Sequence, residues 1–310
     1  MRRYLVRRLL HALVVLFLLS IIVFVIARLS GSPADVMLPI DAKPAERAAV
    51  THRFGLDRPW PIQYWKFVRH AVHGDFGTST RFQAPALRLV IDRAPASIEL
   101  ALAAVFLALL IGIPLGVVAA LKRGTAVDHA ATAVTAVAQA TPTFWLGIVL
   151  ILWFGVSLHV LPLSGKNGIS SFILPAVTLC VVPLVGIARL TRSSVISVLP
   201  QDYVRAARAK GLHERSVVWR YVLRNALLPI VTITGITLGQ LLSGAVIVEQ
   251  IFAWPGIGRL AIDAIQARDY PVVQTVTIVS ASLFIVINIV VDLVYMRLDP
   301  RIRQRMLART

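Results

Sequence analysis

The chain has 310 residues, of which 57% are apolar and only 15% charged, and 32 Lys and Arg against 15 Asp and Glu leave a net charge of +17. Soluble domains carry about 25% charged residues, so this composition, with a mean hydropathy of +0.76, excludes an ordinary soluble enzyme, a disordered chain and a coiled coil. It defines an all-α polytopic membrane protein lodged in a lipid bilayer. The excess of basic residues would also suit nucleic-acid binding. Basic flanks of membrane segments under the positive-inside rule explain it better, and no nucleic-acid partner is expected. The single Cys180 sits in an apolar run, which forbids an intrachain disulfide and leaves it as core packing.

In chain order, Arg2, Arg3, Arg7 and Arg8 precede Leu9 to Ala27, 19 residues without Asp, Glu, Lys or Arg. A signal-peptide core is only about 7–15 residues and ends at a small-residue cleavage site. Here Arg28 follows Ala27, so the segment reads as a retained first span with its basic end in the cytoplasm. About 20 apolar residues cross the hydrocarbon, and six stretches qualify, near 9–29, 98–121, 131–157, 169–189, 227–250 and 272–296. Six spans place both termini on one side. On that side fall nineteen basic residues, from the N-terminus, Lys122 and Arg123, the 189–224 segment and the C-terminal tail, whereas the two short opposite loops hold only Lys166, Arg259 and Arg268. The expected orientation is N-in, C-in. The chain divides into a cytoplasmic start with the first span (1–29), an external insert (30–97) and a five-helix core (98–310) ending in a basic tail.

The insert contains apolar positions 62, 65, 68 and 72 at helical spacing, which predicts an amphipathic helix lying on the membrane or on the bundle. His70 and His73 share one of its faces, but a metal site needs a third ligand and a shaped pocket. Two ordinary histidines on a polar rim are the favoured reading. Gly74, Asp75 and Gly77 mark a turn. Pro114, Pro142, Pro175 and Pro183 fall within predicted spans; each reads first as a packing kink, with a gate or solvated pathway as the alternative. Of the ionisable groups near membrane depth, Glu99, Glu249 and Asp292 are candidates for a proton relay. All three lie near predicted span ends, where water can reach them, and a structural or interfacial role is favoured; Asp292, with Asn288 one turn before it, is the strongest exception, placed to cap a neighbouring helix or pair with Arg. No phosphate-cradling Gly-x-x-x-x-Gly-Lys-Ser/Thr loop is present; Gly165-Lys166 lacks the upstream glycine and is followed by Asn167. The chain is therefore not expected to hydrolyse ATP.

The cytoplasmic segment 190–226 is long for a connection between spans, and loops beyond about 12–15 residues usually serve a function. Its sequence predicts one helix from Asp202 to Lys210, stopped by Gly211. A second, from Ser216 to Leu223, has Val218 and Val222 on one face and Trp219 and Leu223 beside it. The alanines of the first helix allow a close approach by another surface. Composition leaves two readings open: a basic element resting on anionic lipid, and a docking helix for a cytoplasmic protein.

The run Asp202-Tyr203-Val204-Arg205-Ala206-Ala207-Arg208-Ala209-Lys210-Gly211-Leu212, continued by Arg224-Asn225-Ala226-Leu227-Leu228-Pro229, resembles the Glu-Ala-Ala-x-x-x-Gly loop of ABC-importer permeases in the dipeptide, oligopeptide and nickel branch. Three further stretches resemble that branch. They are Gly55-Leu56-Asp57-Arg58-Pro59 with Gln63-Tyr64 and Gly74-Asp75-Phe76-Gly77; Ile251 to Gly258 with Arg268-Asp269-Tyr270-Pro271; and Asp299 to Arg303. The family's Glu position is Arg205 here. The resemblance implies a type I importer permease fold in a bacterial cytoplasmic (inner) membrane. It also implies a second homologous permease, two cytoplasmic ABC ATPase subunits that hold ATP and Mg, and a periplasmic or lipid-anchored substrate-binding protein. No cofactor, metal site or catalytic residue is expected on this chain. Asp202, Tyr203, Arg205, Ala206, Ala207, Lys210, Gly211 and Leu212 would form the ATPase-coupling helix. The cargo would be a di- or oligopeptide first, then nickel or a glutathione-like solute. The rival classes are an ion-driven secondary transporter, which would need embedded carboxylates, and a membrane enzyme, which would need convergent catalytic groups.

Overall fold

The computed structural model describes residues 2–29, 43–54 and 57–298. Asp299 to Arg303, with the rest of the basic tail, and Gly55-Leu56 lie outside the described residues. Within the described part the chain is helix and turn, with one isolated antiparallel bridge between Thr78 and Pro85. In chain order the helices are α1 (Arg2–Leu29), α2 (Pro44–Phe54), α3 (Trp60–Val72), α4 (Ala86–Leu121), α5 (Ala126–Ala140) and α6 (Thr143–Leu150). They continue with α7 (Ser170–Val198), α8 (Asp202–Ala209), α9 (Leu223–Gly244), α10 (Val246–Ile251), α11 (Ile257–Gln266) and α12 (Tyr270–Leu298). A π-helical stretch, Ile151–Ser157, prolongs α6, and a turn Glu214–Ser216 with a π-helical stretch Val217–Val222 leads into α9.

Hydrocarbon offers no water to an unpaired amide, so a spanning segment must satisfy its backbone internally. Among the described residues four helical stretches are long and apolar enough to cross unaided: Val6–Leu29, Ala86–Leu121, Ser170–Val198 and Tyr270–Leu293. Two bent pairs bring the number to six if each counts as one span, Ala126–Ala140 with Thr143–Ser157 at 97° and Glu214–Leu227 with Pro229–Leu242 at 50°. The stretch expected as a single span at 131–157 is thus broken at Pro142. Proline disfavours a helical conformation in the residue before it, and Thr141 is extended, with ψ 120°. The Thr141 amide (3.1 Å) and hydroxyl (2.9 Å) both return to the Val137 carbonyl and close the end of α5. Pro114, Pro175 and Pro183 instead lie inside continuous helices.

The chain forms two compact units, residues 1–97 with 255–285, and residues 98–254 with 286–310. In the first, α3 lies against α1 through aromatic contacts. Tyr64 meets Phe24 edge-on at 5.4 Å between centroids and Phe17 at 6.3 Å, and its hydroxyl lies 2.8 Å from Ser20 Oγ. Ile62, Trp65 and Val72 of the apolar stripe are exposed, which leaves that stripe free to lie on a membrane surface. A second core gathers Ala86 and Val90 of α4, Ile257, Leu260 and Ala264 of α11, and Val272 and Val276 of α12. Ser97 Oγ accepts the Ile257 amide at 2.8 Å, satisfying one of the unpaired donors at the start of α11.

In the second unit α7 is the packed helix: 61% of its most apolar window is buried, and α5, α6, α9 and α10 all touch it. Gly116 of α4 lets the backbones approach closely, since a Cβ there would stand 2.5 Å from the Ala188 carbonyl oxygen and 2.6 Å from Thr191 Cβ. Small residues at helix crossings are the usual means of packing where lipid removes the hydrophobic drive. Asp128, near the start of α5, takes Arg192 of α7 in a two-pronged pair, both contacts 2.7 Å, and its Oδ2 also accepts the Gly124 amide at 3.0 Å. The 158–169 loop is fastened by the Gly165 amide on the Phe252 carbonyl (2.9 Å) and by Lys166 on Glu99 (2.5 Å). The Lys166 ammonium also stands over the rings of Phe172 and Trp254, which meet edge-on at 4.6 Å. Glu99 therefore has an interfacial partner, and Asp292 is half-buried on α12. Glu249, expected where water reaches it, is buried, because α10 folds back onto α6 and α7.

Gly116→Ala should force α4 and α7 apart. Overpacking typically costs about 1–3 kcal/mol, so thermal unfolding in detergent should move to lower temperature; an unchanged midpoint would contradict the close crossing.

Candidate functional site

The segment between α7 and α9 builds a small folded head. α7 ends at Val198, and Gln201, extended at ψ 146°, starts α8. Asp202 in the first turn and Arg208 in the last agree with the helix dipole, and Asp202 also pairs with Arg205 one turn on, at 2.5 Å. Gly211 adopts φ +75°, a left-handed value that a side chain strains, and its amide closes on the Arg208 carbonyl at 2.9 Å. The chain thus reverses and enters the turn at Glu214.

Three contacts hold α8 in place. Val204 and Ala207, at i and i+3, are buried with Ala120 of α4, Val195 of α7, Val217 and Val222 of the π-helical stretch and Ala226 of α9. The Arg208 guanidinium grips Glu214 with both prongs, Nη2 to Oε1 at 2.6 Å and Nε to Oε2 at 3.0 Å. Asn225 Nδ2 donates to Tyr203 Oη at 3.0 Å. The hydrogen bonds from Arg208, helped by its charge, hold the Glu214 carboxyl below its usual range.

Of the residues singled out by the sequence, Asp202, Tyr203, Arg205, Ala206, Lys210, Gly211 and Leu212 are exposed on this head. Ala207 is instead buried and packs inside the chain's own core. Val204 was not among those residues, although its spacing to Ala207 was visible as an apolar pair on a basic helix. The following helix also differs from its expected pattern. Val217 is buried with Val218, Val222 and Leu223, while Trp219 is exposed, because the wider π-helical turn changes which residues share a face. An apolar cavity of about 350 Å³ lies beside Trp219, between α4 and this stretch, with Pro114, Val118, Leu121 and Val218 in its wall.

Two other sequence features resolve in the first unit. His70 Nδ1 faces Asp75 Oδ2 at 3.1 Å, and His73 Nδ1 faces the Arg69 carbonyl at 2.8 Å. Among the described residues no group of three His, Cys, Asp or Glu is arranged to hold a metal. The Gly74–Gly77 and Arg268–Pro271 stretches, far apart in sequence, meet: a Cβ at Gly77 would be 3.7 Å from Pro271. The buried Asp269 carboxylate accepts the Ser79 hydroxyl and, at 3.3 Å, the Arg81 amide. Nothing in either stretch alone signals that pairing.

Among the described residues the chain is helical, with four to six stretches long and apolar enough to cross a membrane and a compact head between α7 and α9. The chain belongs to the family described as "Binding-protein-dependent transport system inner membrane component", matched over residues 112–304, with the N-terminal model of the same family matched over residues 1–109. It is a multi-pass ABC-importer permease subunit and not an enzyme. It is 38% identical to the oligopeptide transport system permease protein AppB of Bacillus subtilis (strain 168), over 97% of this chain and 99% of that one. It is 39% identical to the di/tripeptide transport system permease protein DppB of Pseudomonas aeruginosa (strain UCBPP-PA14), over 98% and 100%. It is 37% identical to the glutathione transport system permease protein GsiC of Salmonella paratyphi A, over 98% and 100%. In fold it is similar to the MetNI methionine ABC transporter in its inward-facing form, with a TM-score of 0.56 and 20% identity over 68% of this chain and 96% of that one.

Val204→Asp should release α8. A charge placed in that core costs about 3 kcal/mol or more, whereas Ala206→Asp on the exposed face should stay within about 0.5 kcal/mol; limited proteolysis of the 199–213 segment distinguishes them. The Arg208–Glu214 grip gives α8 a pH dependence. With the folded-state carboxyl below its unfolded value, the grip stabilises above the unfolded value and is lost as pH falls through the folded one. The pair is about half exposed, 41% and 54%, so the effect is at most about 1 kcal/mol. Hydrogen exchange in α8, corrected for intrinsic rate, should quicken on acidification through the carboxylate range, and Glu214→Gln should remove that step.

Proposed function

We propose that this chain forms half of the translocation pathway of an ATP-driven importer of short peptides in a bacterial cytoplasmic membrane. A second, homologous permease supplies the other half, two cytoplasmic ABC ATPases bind ATP and Mg, and a periplasmic or lipid-anchored binding protein delivers the cargo. What supports the cargo class is that the relatives are named for oligopeptide, di/tripeptide and glutathione transport, all peptide chemistry. Those names give no argument for nickel.

The observation that carries the coupling role is the α8 head. A short helix presents Asp202, Tyr203, Arg205 and Ala206 outward while Val204 and Ala207 anchor it to α4, α7 and α9. A push on such a head reaches the membrane helices directly, because α7 is only three residues upstream of α8. Seated in a cleft of each ATPase, paired heads would be drawn together when ATP closes the two subunits. The permease helices would then pass from an inward- to an outward-facing arrangement as rigid bodies. The loaded binding protein would release its peptide into the open cavity, and hydrolysis would reset the cycle. ATP and peptide must each bind the two arrangements with different affinity for this to work.

No atom stands within 4 Å of where a Cβ on Gly211 would be, so Gly211→Trp acts through backbone strain and outward bulk and leaves the chain's own packing intact. In the purified assembly it should leave basal ATP hydrolysis measurable but abolish its stimulation by the loaded binding protein. Stimulation equal to wild type would remove the coupling role from α8. Affinity purification of the tagged chain should recover P-loop ATPases and a second permease; recovery of the chain alone, competent for ion-driven uptake, would overturn the importer assembly.

A further inference from the structure

In the first unit a cavity of about 440 Å³ opens where the end of α1 meets α2 and α3. Among the described residues its wall carries Arg28, Arg58 and Lys66, together with His52 and His70, and a single carboxylate, Asp75. That carboxylate is engaged: Oδ1 accepts the Gly77 amide at 3.0 Å and Oδ2 faces His70 at 3.1 Å. Among the described residues no carboxylate pairs with Arg28, Arg58 or Lys66. Arg28 has only the face of Phe24 beneath its guanidinium, at 5.2 Å. Three cations converging on one cavity repel one another, and an anion between them relieves the repulsion.

The size and surroundings narrow the anion. The volume falls in the range of sites for small organic molecules, about 300–1,000 Å³, which is more than an inorganic ion requires. Ile62 and Phe67 add an apolar side to the wall. The apolar stretch of α1 is almost bare, 11% of it buried, with Ile22 and Ile26 exposed on the approach to Arg28. On α3, Trp60 and Trp65 are exposed as well, and tryptophan is the residue enriched at headgroup depth. A charged head and a long apolar tail would thus both find their surroundings along one helix.

We propose that this cavity binds the phosphate of an anionic phospholipid, held by Arg28, Arg58 and Lys66, with the acyl chains lying along the exposed face of α1. Basic pockets between membrane helices take such headgroups on the cytoplasmic side, and the same pairing of cations with phosphate would operate at this end of α1. The site is independent of which solute the permease carries.

The test uses the full-length chain in nanodiscs of phosphatidylcholine with increasing phosphatidylglycerol, read by thermal unfolding and by native mass spectrometry of retained lipid. Wild type should show saturable stabilisation and one retained phosphatidylglycerol. Arg58→Gln with Lys66→Gln should weaken this roughly thirty-fold, the product of two lost phosphate contacts. Arg58→Glu with Lys66→Glu should weaken it more, and Lys122→Glu with Arg123→Glu, outside the cavity, should not change it. Equal retention of both lipids, or equal loss in the cavity and control variants, overturns the proposal. Equally tight binding of soluble glycerol 3-phosphate would assign the cavity to a free anion. If charge reversal spares lipid binding but weakens docking of a binding protein, the cavity is an acidic-protein contact instead.

Discussion

Every amide that enters hydrocarbon must be bonded within the protein, and the arrangement of this chain follows from that constraint. It explains why the membrane-forming stretches are helical and why the breaks fall where they do. At Pro142 the helix cannot continue straight, and the Thr141 amide and hydroxyl both turn back to the Val137 carbonyl to finish α5. At Gly211 the left-handed conformation closes α8 on the Arg208 carbonyl. At the start of α11 the Ser97 hydroxyl takes an amide that no turn of helix could reach. The first two breaks are closed by bonds within the same turn, the third by a hydroxyl brought from a distant part of the chain.

Within the second unit α7 is the helix on which the other contacts converge. Gly116 sets its distance from α4, and the Asp128–Arg192 pair fixes α5 to its C-terminal half. The chain then passes through three residues into α8, whose Val204 and Ala207 return to the α4, α7 and α9 ends. Packed interfaces have discrete arrangements and do not deform continuously, and the proposed coupling through α8 would rest on that property. The Arg208–Glu214 grip and the Tyr203–Asn225 bond add orientation more than stability, since exposed ion pairs contribute little.

Much of this was legible in the residues. Apolar runs located the membrane stretches because burial in lipid needs length and little else, and Gly211 announced the end of α8 because few residues tolerate positive φ. The sequence patterns were less informative where two apolar faces competed. On α3 the apolar spacing marks residues 62, 65, 68 and 72, and the contact with α1 is made instead by Tyr64 and Phe67, because Phe17 and Phe24 of α1 are there to receive rings. On α8, Ala207 looked like part of a docking face, and it packs inward because its partners come from three other helices.

The sequence by itself determined the class: a basic, apolar, multi-span chain without a nucleotide loop, carrying the motifs of an importer permease. Local chemistry suffices for that, since hydropathy, capping and turn conformations are properties of neighbouring residues. Only the tertiary structure decided that Asp128 meets Arg192, that Ser79 meets Asp269, that Glu249 is buried, and that Arg28, Arg58 and Lys66 share one cavity. These are relations between residues brought together by helix packing, and that packing depends on side-chain shapes from separate segments that no single stretch records.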